Sequence, residues 1–299
     1  MKQHALYLFA LDPTHIGAGG YRLGRVDNTI LRDAATGLPK VPGSSINGAS
    51  RAAAIYSLPD GEREKAMGYA RATLEAQNRK RPHPGEDDPV ARVFGYAEGD
   101  SEGQSRIGLV SFRDAEILAF PVPTMAGPRW ITTPALLDAA GCQDIPAVAS
   151  PDRVLVQDSG VQPARLNLGW VLLDTQKQKI PFPDYLADQP SMSFLQRNLV
   201  LVHEGLFPSL VNANLETRTS VSIDFETGAG AEGLLFTYEA TPRGTLFRGA
   251  VDFDDDRFAD LYAEALDLVK RGLTLACGLG LGAMTTRGFG RMQMMLGDA

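Results

Sequence analysis

The chain has 299 residues, 44% of them apolar, enough to bury a core in one elaborated domain or in two. Its 36 acidic residues outnumber 29 basic ones for a formal charge of −7, which speaks against indiscriminate binding to phosphate chains. Two cysteines, Cys142 and Cys277, and four scattered histidines, His4, His15, His83 and His203, exclude a disulfide framework and a zinc centre, and the lack of a long apolar run or signal-like start predicts a cytoplasmic protein without membrane contact.

In chain order, residues 5–11 form a compact apolar run that predicts a central strand, and residues 29–33 predict a second one after a glycine-rich loop. Ile46, Ala49, Ala53 and Tyr56 recur at helical spacing, so a helix follows Ser45 and buries one face. Leu58-Pro59-Asp60-Gly61 turns the chain into a second helix over 62–78, and residues 79–85 read as an exposed basic loop. Strands are predicted over 107–112 and 115–120, then an irregular insertion over 145–162. Residues 217–223 alternate with β-branched side chains, 227–230 can reverse the chain, and 234–238 return as a strand. A last helix over 254–271 carries Phe258, Leu261, Ala265 and Leu268 on one side, and residues 273–277 with 291–296 predict a hairpin-like end. Strands and helices mixed in this way fit an α+β sandwich in which helices cover one face of an antiparallel sheet, in one domain with insertions.

Two segments suit a phosphate chain. Gly280-Leu281-Gly282 and Gly288-Phe289-Gly290 flank a short loop ending in Arg287, and glycine lets another backbone come close; an ordinary glycine-rich hairpin explains them equally well. Pro42-Gly43-Ser44-Ser45 opens a helix with hydroxyl caps and places Arg51 further along it, a natural anion seat. Arg22, Arg25, Arg32, Lys40 and Arg51 fall in one stretch of the chain while acids concentrate at 86–88, 98–102 and 252–256. That split gives a basic face for one phosphate path, or else a merely solvated surface. A dinucleotide site at Gly278, Gly280 and Ala283 fails because too little chain follows, and no G-x-S-x-G elbow surrounds Ser44 or Ser45.

These two loops, with His15-Ile16-Gly17-Ala18-Gly19, Gly24-Arg25-Val26-Asp27-Asn28, Phe120-Pro121-Val122, Trp130-Ile131-Thr132-Thr133-Pro134, Leu235-Phe236-Thr237-Tyr238-Glu239 and Thr245-Leu246-Phe247, resemble the RAMP superfamily of CRISPR proteins. Within it the chain is most similar to the repeated backbone subunit of type III-B (Cmr) effector complexes. The resemblance leaves about 140–195 unmatched, and Ile46-Asn47-Gly48 stands where the family has Leu-Lys-Gly, so one expected guide-phosphate cation is missing.

The resemblance implies a ferredoxin-like (RRM-like) RAMP fold, with insertions at about 60–104 and 140–195 and a β-hairpin thumb over 213–241. It implies a chain that polymerises along CRISPR guide RNA in a helical filament beside large, small and guide-end-capping subunits and cleaves complementary target RNA. The implied RNA contacts are Arg22, Arg25, Ser44, Ser45, Asn47, Arg51, Arg218, Arg287 and Gly288. The implied catalytic set is Asp27, with His15, Tyr238 and Glu239 in support, and Mg²⁺ or Mn²⁺ at Asp27. From the residues alone, Asp27 in its loop of glycines and arginines either binds Mg²⁺ or orients a ribose 2′-hydroxyl, or simply caps a turn or pairs with Arg25 or Arg32; the resemblance favours the first. His15 is equally a general acid or a brace for the loop. The alternatives are a non-catalytic guide-binding scaffold or another type III backbone subunit, and a stand-alone RRM-like enzyme that trims the guide.

Overall fold

The computed structural model describes residues 1–19, 26–75, 88–96, 106–159, 162–223, 226, 228, 230–256 and 259–297. The first half of the chain carries β1 (Lys2–Ala10), β2 (Lys40–Val41), α1 (Gly43–Tyr56), α2 (Asp60–Glu75), α3 (Pro89–Phe94), β3 (Val110–Phe112), β4 (Ala115–Val122), β5 (Arg129–Thr132) and α4 (Pro134–Ala139). The middle carries β6 (Arg153–Gln157), β7 (Arg165–Leu168), β8 (Val171–Gln178), α5 (Asp184–Ala187), α6 (Ser193–Arg197), β9 (Leu199–Leu201) and α7 (Phe207–Ala213). The last part carries β10 (Glu216–Ile223), β11 (Gly230–Ala240), β12 (Leu246–Phe253), α8 (Tyr262–Leu279) and β13 (Met292–Leu296).

One mixed sheet organises the molecule, in the order β13-β1-β12-β4-β5-β9-β6-β8-β7, with β2 on β4 and β3 on β12. Its ladders are antiparallel except β5–β9 and β6–β8. Strand β1 lies between β12 and β13, and its alternation sends Leu6 and Leu8 to one face and Tyr7 to the other. On the first face Leu6 and Leu8 join Ile46 and Ala54 of α1 and Leu268 and Leu273 of α8 in the main core. On the second, Tyr7, Leu118, Trp130 and Met295 pack under Leu137, Phe182, Leu186 and Leu195. Both faces of the sheet are therefore covered, rather than one. The hairpin β10–β11 forms a separate two-stranded sheet.

Several expected elements shift. Residues 29–33 are not a strand; they make isolated bridges, Ile30 to Gly17 and Arg32 to Pro39, because their partners are short loop backbones rather than a continuous edge. Residues 145–162 include β6, which with β7 and β8 extends the main sheet, so this stretch is less irregular than its sequence. The last helix is α8, which begins at Tyr262 after a single 3-10 turn at Ala259–Leu261 and continues to Leu279. It absorbs 273–277, since Leu268, Val269, Gly272, Leu273, Ala276 and Cys277 continue one buried stripe at helical spacing. The basic loop at 79–85 and Phe258 lie outside the described residues. Among the described residues no helix is long and apolar enough to cross a membrane.

Candidate functional site

The site is built where the loop carrying Asp27 runs beside β11. The hairpin register sets Arg218 against Tyr238, Thr219 against Thr237 and Ser220 against Phe236. Alternation then puts Thr237 and Glu239 on one side of β11 and Phe236 and Tyr238 on the other. Asn28 forms a parallel bridge to Tyr238: its N–H donates to Thr237 O at 3.0 Å, and Glu239 N–H donates to Asn28 O at 3.0 Å. This anchors Asp27 opposite Thr237. The Thr237 N–H donates to Asp27 Oδ2 at 2.7 Å and the Thr237 hydroxyl donates to the same oxygen at 3.0 Å, while accepting the Asp27 N–H at 3.1 Å. Asp27 is exposed. Its carboxyl is held below the ordinary carboxylate range, first by the Thr237 N–H and then by the Thr237 hydroxyl.

The other three expected catalytic residues converge on the same spot, but facing inward. Glu239 receives Arg32 at 3.1 Å on its carboxylate and the Ile30 N–H at 3.3 Å, so it laces the loop to the hairpin. Tyr238 is 5% exposed, its hydroxyl near Ser220 Oγ at 3.3 Å and its ring edge-on to Phe289. His15 is 4% exposed, with Nδ1 2.5 Å from Glu239 O. A carbonyl only accepts, so Nδ1 donates this bond. The His15 carbonyl in turn accepts Ala283 N–H at 3.0 Å. His15 is thus a brace between the first loop, β11 and the C-terminal glycine loop. Thr237, which contacts Asp27 most directly, was not singled out from sequence; its only local signal is its place between Phe236 and Tyr238 in an alternating strand.

On the aromatic side of the hairpin, the Arg218 guanidinium lies over the Phe289 ring at 4.8 Å and the Arg287 guanidinium over Phe236 at 5.8 Å. Arg218 also pairs with Glu216. Both arginines are exposed, and the rings hold them in place. Gly288, with φ +80 and open space around it, follows Arg287. Gly282 has a different reason to be glycine, because a Cβ there falls 2.4 Å from His15 O. At that position the close approach permitted by glycine is to the protein itself, not to a phosphate.

The expected hydroxyl caps at Ser44 and Ser45 are not found. Helix α1 starts at Gly43 with Pro42 as its N-cap, so both serines already lie inside the first turn. Asp114 Oδ1 accepts the Gly43 N–H at 2.8 Å and Lys40 sits on the other Asp114 oxygen at 2.7 Å. A side-chain carboxylate therefore occupies part of the anion seat. Ser44, Asn47 and Arg51 share one face of α1 at i, i+3 and i+7. Of the cations clustered in the sequence, Arg32 and Lys40 are committed to Glu239 and to Asp33 and Asp114, and Arg22 and Arg25 lie outside the described residues. Among the described residues no three His, Cys, Asp or Glu side chains gather to hold a metal. The donor set at Asp27 is a single oxygen, Oδ1, since Oδ2 already accepts two hydrogen bonds.

A family model of the RAMP superfamily matches residues 8–293. The chain belongs to the RAMP superfamily. It is 25% identical over 269 residues to the CRISPR system Cmr endoribonuclease Cmr4 of Pyrococcus furiosus, covering 83% of this chain and 80% of that protein. A chain of the apo type III-B Cmr-beta complex solved by cryo-EM superposes with a TM-score of 0.65 at 17% identity, over 99% of this RAMP chain and 97% of the other. Crystalline oligomeric Cmr4 from Pyrococcus furiosus superposes at 0.58 and 18% identity, over 100% and 99%. These likenesses show that the mixed α/β architecture is a RAMP fold.

Proposed function

We propose that this chain is the backbone subunit of a cytoplasmic type III-B CRISPR ribonucleoprotein, one RAMP domain that binds guide RNA beside copies of itself and other Cmr subunits and cleaves complementary target RNA. The observation that carries the reading is Asp27: an exposed, ionised carboxylate fixed by Thr237 at a free-standing hairpin, in a chain similar to a protein named as a Cmr endoribonuclease. Base pairing reads the target while the protein holds backbone, as in other RNA-guided effectors. In this reading the hairpin over 213–241 is the thumb, 60–104 and 140–195 are insertions, Arg218 and Arg287 meet phosphates, and Ser44, Asn47 and Arg51 face the guide.

We read Asp27 as an orienting group rather than a general base, because two hydrogen bonds from Thr237 stabilise its ionised form. Asp27 instead accepts a hydrogen bond from the target 2′-hydroxyl through Oδ1 and turns that oxygen toward its own phosphate. The 2′-oxygen attacks phosphorus in line, the bond to the 5′-oxygen breaks, the 2′ proton passes to water, and the leaving oxygen takes a proton from water. A 2′,3′-cyclic phosphate and a 5′-hydroxyl result. Were Mg²⁺ or Mn²⁺ bound here, Asp27 Oδ1 would be the protein oxygen to hold it, and the ion would supply charge stabilisation at the scissile group.

The test is Asp27→Asn in the complex assembled on guide RNA. Target cutting falls about 100-fold with assembly and target affinity unchanged, and wild-type products carry cyclic phosphate ends. A single 2′-deoxy nucleotide 5′ of one cut removes that cut alone. Undiminished cutting by the mutant takes Asp27 out of the mechanism, and 3′-hydroxyl products show that water is the nucleophile.

A further inference from the structure

The Thr237 side chain makes two bonds to Asp27, one in each direction. Its hydroxyl oxygen accepts the Asp27 N–H at 3.1 Å, so its own proton is free to point away from that donor, and it points at Asp27 Oδ2, 3.0 Å away. The Thr237 N–H adds a second donor to Oδ2 at 2.7 Å. With the Asn28 N–H on Thr237 O, the two backbones are tied on both sides of the carboxylate. A carboxylate oxygen offers about two lone-pair directions, and both directions of Oδ2 are taken. Oδ1 has no hydrogen-bond partner among the described residues, and Asp27 is exposed.

We propose that Thr237 is the positioning residue for Asp27: it saturates one carboxylate oxygen, fixes the side-chain torsion, and leaves Oδ1 as the single oxygen presented to the target 2′-hydroxyl. This rests on the role of Asp27 above. A carboxylate on an exposed loop samples several rotamers, and each rotamer that turns Oδ1 from the ribose is unproductive. Two donors from one residue on a paired strand remove that freedom before RNA arrives. The same pair of bonds ties the loop to the hairpin at the residue that cuts. Glu239 strengthens this tie two residues further on, through Ile30 and Arg32.

Thr237→Val tests it, because valine keeps the shape and β-branching suited to a strand and removes only the hydroxyl. Thr237→Ser restores the hydroxyl without the methyl. Each is assembled with guide RNA and compared with wild type and Asp27→Asn for target affinity and for single-turnover cutting at saturating target. The expected result is cutting slowed about tenfold in Thr237→Val, with target affinity unchanged and Thr237→Ser within about twofold of wild type; a lost hydrogen bond to a charged group is of that order. Thr237→Val cutting at the wild-type rate while Asp27→Asn is inactive overturns the inference and leaves Asp27 standing. Thr237→Ser as slow as Thr237→Val also overturns it, since the hydroxyl then does not matter. Full activity of Asp27→Asn marks failure of the underlying reading instead.

Discussion

Replacing Gly282 by alanine separates two explanations of the C-terminal glycines, packing against the protein and approach to RNA. Gly282 sits at φ +92, and a Cβ there falls 2.4 Å from the His15 carbonyl oxygen and 2.7 Å from Ile16 Cδ1. Such contacts do not fall below 3.0 Å, so one backbone must give way by more than half an ångström. His15 has little room to yield. Its carbonyl accepts Ala283 N–H, its ring is tied to Glu239 O, and Ile16 behind it is buried. Positive-φ strain costs about 1–2 kcal/mol and forced overpacking about 1–3 kcal/mol. Together that is about 2–5 kcal/mol, or about 4–10 °C of melting temperature in a chain of this size. Gly288, at φ +80 with nothing within 4 Å, loses only the strain contribution on the same change, about 1–2 kcal/mol and about 2–4 °C. Thermal melts of the RNA-free chain, followed by circular dichroism, read both values. Equal losses in the two variants, or Gly282→Ala melting within about 1 °C of wild type, refute the packing explanation and return Gly282 to the RNA.

Arg51→Ala and Arg287→Ala each weaken guide binding whatever the guide sequence and flatten the salt dependence of affinity by about one unit; an unchanged slope in either titration removes that arginine from the phosphate path. Stability at acid pH provides a further check on the start of α1. The Asp114 carboxyl is held below its ordinary value of 3.8, first by Lys40 and then by the Gly43 N–H. A depressed folded value stabilises above the unfolded one and is lost as pH falls through the folded one. Asp114→Asn therefore melts lower than wild type at pH 7, and the gap closes toward about pH 3; a gap that stays constant across that range shows that the ion pair contributes nothing.

What could be read from sequence follows from how local each signal is. The hairpin declares itself through β-branched alternation over 217–223 and a glycine turn, and α1 through Ile46, Ala53 and their neighbours at helical spacing. Leu273–Leu275 and the two residues after them misled because a short apolar run suits a strand or a buried helix turn equally, and only the stripe continuing from Leu268 decides it. Strand β6 has only the short apolar run Val154-Leu155-Val156 between turn residues, and its partners, β8 and β9, come later in the chain. Asp27 could be ranked first only through the resemblance, and its partner Thr237 is 210 residues away. That pairing depends on the register of Asn28 against Tyr238, which no local pattern encodes.

The same register carries a consequence for how cutting couples to binding. The carboxylate itself is tied to β11: Asp27 and Asn28 bond to Thr237, and Ile30 and Arg32 reach Glu239 two residues further on. Strand β11 with β10 forms its own two-stranded sheet, joined to the body through the Thr14–Thr241 and Asn28–Tyr238 bridges, the His15–Glu239 bond and the packing of Tyr238 on Phe289. Under the proposed function, in which the hairpin is the thumb, its distance from Asp27 within one subunit is set by these ties. Under the same reading the free variable is the distance from Asp27 to the scissile phosphate of the target. On that proposal the packing of one copy on the next sets the spacing of cuts, while Asp27 and Thr237 set the chemistry of each.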